Sequence, residues 1–329
     1  MNILKILILF IVLVFSLNHE LVSDFRLNTG DKVSSEVELM YVKGIKYLMD
    51  NQNANGTFKG SNGSGPGVVG LCITAILAHG DDPNYGPYRN QIKNGIDFII
   101  KNQDKKTGYY GGSMYHHGFA TLAMAEAYGA LNDKRIGKSL KLAVDLLLTS
   151  QSKNSLGGWR YTPETNSADT TISGACLVAL LAARNSGIGV PQKNLDKALT
   201  FYKKSQTNDG GIGYTNAYGP NNIRTAIGIL VYALAKKKGD VLKNATKYLK
   251  NQPGKSESHF YYFSYYNSQA LFRTDPKYWA KWNEIQINIL KQRQLENGSW
   301  SGQNGTPFST ATALLSLALN YRYLPIYER

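Results

Sequence analysis

The residues of this chain that could do chemistry are few, and they gather in a handful of places. Asp169 stands immediately before a run of small and apolar residues, Thr170 to Ala183. An acid in that position either moves a proton at a cavity wall or caps a helix by accepting from the free N–H groups of its first turn. His116 and His117 are adjacent, and His259 precedes the densest aromatic stretch, Phe260 to Tyr266. Asp169 and His116 are the candidate catalytic residues. Imidazoles with a carboxylate would also suit zinc, but neighbouring helix residues point about 100° apart, so His116 and His117 cannot easily share one ion. No metal and no other cofactor is expected. Hydrolysis of a sugar chain needs two opposed carboxylates. Glu164, Asp209, Glu257 and Glu296 lie in segments that could face Asp169, and no pair of them stands out. A lyase needs only a base and a cation, which Tyr115, His116 or His259 with Arg160 would supply. Cys72 and Cys176 sit in apolar helical contexts and read as small buried hydrophobes, with neither a disulfide framework nor a zinc spacing.

A repeat must position these residues. A Gln followed by polar residues, then Gly and an aromatic, recurs from Gln52, Gln103, Gln151, Gln206 and Gln294, with a divergent copy at Gln252. In chain order the six glutamines are 51, 48, 55, 46 and 42 residues apart, which suits two helices plus loops. Ahead of each Gln the apolar residues fall on one stripe, as in Leu140, Ala143, Val144, Leu147 and Leu148, so these helices have a solvated side. After each turn the pattern changes. Residues 68–78, 118–128, 172–183, 223–235 and 311–319 are small or apolar nearly all round, the mark of a helix buried on every face. The expectation is an all-α fold, an (α/α)6 toroid of six helix-hairpin repeats with an inner and an outer ring. An open solenoid uses the same unit; the Gly, Ala, Ser and Thr of the inner helices favour closure around an axis.

The Gln…Gly-aromatic turns resemble the repeats of the squalene–hopene cyclase and protein-prenyltransferase superfamily, over Glu36 to Leu324. Gly157 to Pro163 with Ala168 to Gly174 looks like the middle repeat of an exported bacterial branch of such toroids without established activity. Phe260 to Leu271, continuing to Trp279 and Trp282-Asn283, looks like its fifth repeat. In class II terpene cyclases the acid is the middle Asp of Asp-x-Asp-Asp-Thr. That motif falls on Asn166-Ser167-Ala168-Asp169-Thr170, so the last Asp and Thr match while Ala168 takes the acid's place. The zinc ligands of the prenyltransferases have no counterpart, and the Cys-Gly-Glu-Gln thioester of complement-type toroids is absent. The resemblance implies a cyclase-like toroid that binds a hydrophobic or amphipathic ligand, or serves as a scaffold, without the usual acid. Two alternatives remain: a carbohydrate-active lyase or hydrolase, since α/α toroids also host these, and a divergent terpenoid cyclase. The site is expected at the mouth where inner-helix N-termini gather, with rim candidates Tyr115, His117, Trp159, Arg160, Thr170, Arg224, His259, Tyr265 and Tyr266.

The N-terminus carries a short basic start and an apolar stretch from Ile6 to Leu17, the length of a signal h-region and short for a membrane span. Residues 1–23 are expected to direct export to the periplasm or exterior, residues 24–34 to form a linker, and residues 35–329 the toroid. Left uncleaved, the segment would anchor the protein to a membrane. The 37 Lys and Arg against 23 Asp and Glu give a net charge of +14. These lysines are scattered apart from Lys236-Lys237-Lys238 and Lys105-Lys106, which describes a mildly basic surface. No nucleic-acid partner is expected; contact with an anionic membrane or a polysaccharide is the lesser reading of that charge.

Overall fold

A computed structural model describes residues 33–252, 259–324 and 326. The expected signal segment, most of the linker and Glu257 lie outside the described residues. Within them are twelve α-helices, a short 3-10 turn, and no strand beyond isolated bridges. None of these helices is long and apolar enough to cross a membrane.

The odd-numbered helices are amphipathic. They are α1 (Ser35–Asp50), α3 (Arg89–Asn102), α5 (Lys134–Ser152), α7 (Gln192–Lys204), α9 (Asp240–Lys250) and α11 (Pro276–Arg293). In α7, Leu195, Ala198, Leu199, Phe201 and Tyr202 are buried, while Lys203 and Lys204 at its end stay in water. The even-numbered helices are α2 (Pro66–Leu77), α4 (Met114–Tyr128), α6 (Thr170–Asn185), α8 (Asn222–Leu234), α10 (Phe260–Thr274) and α12 (Thr306–Leu317). Every residue of α2 is buried, as is α12 from Pro307 onward. A helix with no polar face can only sit inside, and these six form the inner ring.

The ring closes. Each inner helix packs on the next in the order α2, α4, α6, α8, α10, α12, and α12 returns to pack on α2. Across that seam the Cys72 thiol lies 3.6 Å from the carbonyl of Pro307. Both cysteines are free and buried, and burial pushes both thiols well above their usual range. They pack as small hydrophobes.

The repeated Gln shows why the units hold their register. Gln103 Nε2 donates to Gly108 O of its own turn at 3.0 Å and to Ser139 O of the next outer helix at 2.8 Å. Gln52 reaches Gln91 O, Gln151 reaches Asn194 O, and Gln206 reaches Val241 O in the same way. Gln294 completes the circle, donating to Gly298 O and to Met40 O of α1, both at 2.9 Å. The turn glycine is needed for two reasons. At Gly108 φ is +82°, and a Cβ would lie 2.2 Å from Leu142 O. Gln252, in the divergent fifth copy, makes no such bridge among the described residues.

Candidate functional site

The N-termini of the inner helices converge on a cavity of about 440 Å³, and all six contribute to its lining. The contributing residues are the second or third of each helix: Val68, Tyr115 and His116, Thr171, Ile223 and Arg224, Tyr262, and Phe308. Phe119 adds a ring one turn deeper on α4. A second pocket of about 470 Å³ adjoins it between the fifth and sixth repeats, sharing His259, Tyr262, Asn304 and Phe308.

One wall is a continuous aromatic surface. Tyr115 stacks on Phe119 with centroids 6.2 Å apart; Phe119 meets Phe308 edge-on at 6.5 Å, and Tyr262 meets Phe308 at 6.0 Å. Tyr262 then meets Tyr266 edge-on at 5.0 Å, and Tyr266 meets Tyr265 at 4.8 Å. Tyr265 and Tyr266 are buried and continue the aromatic run away from the cavity lining. Burial pushes the hydroxyls of Tyr115, Tyr262 and Tyr266 well above their ordinary range, so all three stay protonated. The hydroxyls of Tyr115, Tyr262 and Tyr266 form a buried cluster in which Tyr262 stands between the other two.

The opposite side is cationic and donor-rich. The guanidinium of Arg224 lies 5.6 Å from the ring centre of Tyr214, and that of Arg160 lies 5.4 Å from the same ring. Tyr214 is thus shared by two cations, an arrangement favoured by the ring quadrupole. Arg224 Nη2 donates to Gly219 O, while its Nε is buried without a partner. His116 Nδ1 accepts from the backbone N–H of Gly67, in the first turn of α2, at 3.3 Å. Burial lowers the pKa of His116, so the imidazole is neutral and its proton resides on Nε2. Set that way, the ring that lines the cavity carries a donor at Nε2 and no free basic nitrogen.

The other expected site residues have different places. Asp169 is fully buried and caps α6: its Oδ1 accepts from Thr171 N at 2.9 Å, Ile172 N at 2.8 Å and Thr171 Oγ1 at 2.6 Å. Its Oδ2 is buried without a partner, and the residue does not reach the cavity lining. Thr170 is held by Gly213 O at 2.7 Å, and the Trp159 indole donates to Leu147 O at 3.0 Å. Both support the third repeat from within. His117 is fully buried, with Nε2 against Ala143 O at 3.1 Å and Nδ1 accepting from Tyr110 N at 3.4 Å. Its pKa falls to about 4, chiefly through burial. The structure therefore brings Tyr115, His116, Arg224 and His259 together at the cavity, with Arg160 beside them through Tyr214. It leaves His117, Trp159, Thr170 and Tyr265 inside the repeats. Phe119 and Phe308 line the cavity without having been singled out by sequence, and Tyr262 was marked only as part of the aromatic stretch Phe260 to Tyr266; aligning the six inner-helix starts would have marked Tyr262 and Phe308. Among the described residues no carboxylate lines either pocket and no cluster of metal-ligating side chains forms.

Fold and site define a closed α/α toroid with an aromatic, donor-lined mouth. Solved toroids of two chemistries are similar to it. The GH76A α-1,6-mannanase of Salegentibacter sp. HEL1_6 superposes with a TM-score of 0.67 at 12% identity, over 88% of this chain and 100% of the mannanase. An inactive variant with two aspartates replaced, bound to α-1,6-mannotriose, superposes with a TM-score of 0.64 at 12% identity, over 86% and 98%. A variant of type II terpene cyclase MstE from Scytonema, bound to geranylgeranyl dihydroxybenzoate, gives a TM-score of 0.60 at 15% identity, over 88% and 98%. At these identities the likeness is one of fold. No protein-family model matches the chain, and no curated protein is significantly similar to it in sequence.

Proposed function

We propose that this protein binds an amphipathic molecule with an anionic head at the mouth of the toroid, and that it does so as a binding protein. One observation carries this reading. All six inner helices contribute to a cavity whose wall is aromatic and whose polar groups include Arg224, His116 and the Tyr262 hydroxyl, with no carboxylate lining it among the described residues. Its volume of about 440 Å³ falls in the range of small-molecule sites, roughly 300–1,000 Å³. Aromatic faces take the apolar body, while the inner-helix N-termini and Arg224 favour negative charge at the head. A cyclase would need a strong acid facing the cavity; Ala168 stands at that position in the motif, and Asp169 caps a helix. The apolar stretch from Ile6 to Leu17 supports export of the protein, with residues 1–23 as the signal and residues 24–34 as a linker.

Carbohydrate binding is the second reading. The adjoining pocket supports it, with the amides of Gln292, Gln303 and Asn304 beside Tyr261 and Phe260, and so does the shared fold with a mannanase that holds mannotriose. One titration separates the two. Thermal shift is measured with isoprenoid carboxylates, the matching alcohols and α-1,6-mannotriose. The carboxylates are expected to bind about tenfold or more tightly than the alcohols, the worth of a charge-assisted hydrogen bond. Arg224→Gln should erase that difference. Binding of mannotriose with indifference to the carboxylates would replace the amphiphile reading with the carbohydrate one.

A further inference from the structure

A second feature lies away from the mouth, on the flank between the fourth and fifth repeats. There a groove of about 940 Å³ runs from the C-terminal end of α8, across α9, to the junction of α10 and α11. Its cations are Lys236, Lys237 and Lys238 from the loop after α8, Lys243, Lys247 and Lys250 from α9, and Arg273. Among the described residues the single acid in its lining is Asp275, which is taken by Lys250. Lys237 reaches out to Asp196 at 3.1 Å. Lys236, Lys238, Lys243 and Lys247 are exposed and pair with no carboxylate among the described residues. Lys243, Lys247 and Lys250 stand at i, i+4 and i+7, so they share one face of α9. Attraction to the C-terminal dipole of α8 accounts for the nearest of these cations and for none of those along α9.

The floor beneath the lysines is apolar. Ala233, Leu242 and the methyl group of Thr246 are only partly covered, and α9 itself buries just Ala245 and Leu249. A soluble polyanion would use the rim and leave this floor wet. An acidic lipid uses both, with its phosphate among the ammonium groups and its upper acyl chains on the floor. We infer that this groove docks the protein on a membrane surface containing anionic phospholipid. The groove collects the C-terminal ends of inner helices α8 and α10, whereas the cavity collects the N-terminal ends of all six. Docked by the groove, the protein holds its mouth away from the bilayer.

The test is sedimentation of the full chain with vesicles of phosphatidylcholine alone and of phosphatidylcholine mixed with phosphatidylglycerol. The readout is the difference between the two, which removes any contribution of the apolar N-terminus. Each of Lys238→Ala, Lys243→Ala and Lys247→Ala is expected to weaken the phosphatidylglycerol-dependent binding about fivefold, the effect of one lysine at an anionic surface. Removing the same charge at Lys101, Lys105 and Lys106 should leave it nearly unchanged. Leu242→Ser should weaken vesicle binding while heparin binding stays as it was. Equal loss from both lysine sets, or heparin binding without phosphatidylglycerol-dependent vesicle binding, overturns the inference; circular dichroism confirms that these surface variants fold.

Discussion

Two adjacent histidines carry opposite lessons at the scale of single residues. His116 faces the cavity with its tautomer set by Gly67, while His117 is sealed in the second repeat with both ring nitrogens used. The 100° step between helix neighbours separates them, and the sequence alone supplied that angle. Which of the two faced inward was not legible, because it depends on where Ala143 of α5 and Gly67 of α2 arrive. Asp169 is similar. Its capping role could be read from its place before an apolar run, but its burial follows from Gly213 and Tyr214 crossing from the fourth repeat to hold Thr170. The depressed pKa of His117 has a measurable consequence. Above pH 6.5 the ring is neutral in both states and contributes nothing to pH dependence. As the pH falls from about 6.5 to about 4, the unfolded chain takes up a proton that the native ring refuses, so stability is lost across that window. The full difference corresponds to roughly 3 kcal/mol at about 1.4 kcal/mol per pKa unit. His117→Gln should be less stable at pH 7, for loss of fitted hydrogen bonds, yet lose less on going to pH 4.5. Urea unfolding at both pH values checks this; parallel losses in the two proteins would show that His117 is protonated in the fold.

Among the elements, the repeated Gln acts between units as much as within its own turn. Its spacing was plain in the sequence, and so was the alternation of amphipathic and fully apolar helices, because both rest on local periodicity. The bond from each Gln to the next outer helix was not, since it joins residues such as Gln103 and Ser139 that are 36 positions apart. The fifth repeat departs from the rule in both descriptions. Gln252 makes no bridge among the described residues, and aromatic pairs join α10 to α11, with Phe272 edge-on to Trp279 at 5.0 Å. The energetic weight of a bridge should follow its burial. Gln103 is buried, donates to two carbonyls, and accepts from Ser139 Oγ at 2.8 Å. Gln52 makes the corresponding two bonds from a half-buried position, one of them at 3.4 Å. Gln103→Leu leaves two buried carbonyls without this donor and should cost about 2–4 kcal/mol, whereas Gln52→Leu should cost about 1 kcal/mol. Equal costs by urea titration would mean that the turn holds by its glycine and aromatic alone.

For the whole molecule, closure is the property that separates this chain from an open helical array. In a solenoid the first and last units are caps with a polar outer face, and stability is the sum of neighbour terms along a line. Here α12 and α2 are apolar where they meet, and Gln294 in the last repeat bonds to Met40 near the start of the toroid. Tyr321 OH also donates to Glu38 Oε2 at 2.7 Å, which places the ends of the ring side by side. The first and last repeats are therefore neighbours like any other pair. It follows that the position of the break in the chain is a minor matter. A circular permutant beginning at Val190 and ending at Gly189, with the present C-terminus joined to Val33 by a flexible Gly/Ser linker, tests this. Its break falls between α6 and α7, where Gly187 and Gly189 have no atom within 4 Å of a Cβ position, so nothing packed is disturbed. Moving the opening exchanges one surface connection for another, a change of about 1 kcal/mol in loop closure. The permutant should melt in one cooperative transition within about 5 °C of the parent chain. An open array would respond otherwise: its capping repeats would be forced into the middle and the cut repeats exposed at the ends, giving aggregation or a transition in two steps. That outcome would mean the seam between α12 and α2 contributes less than the other five.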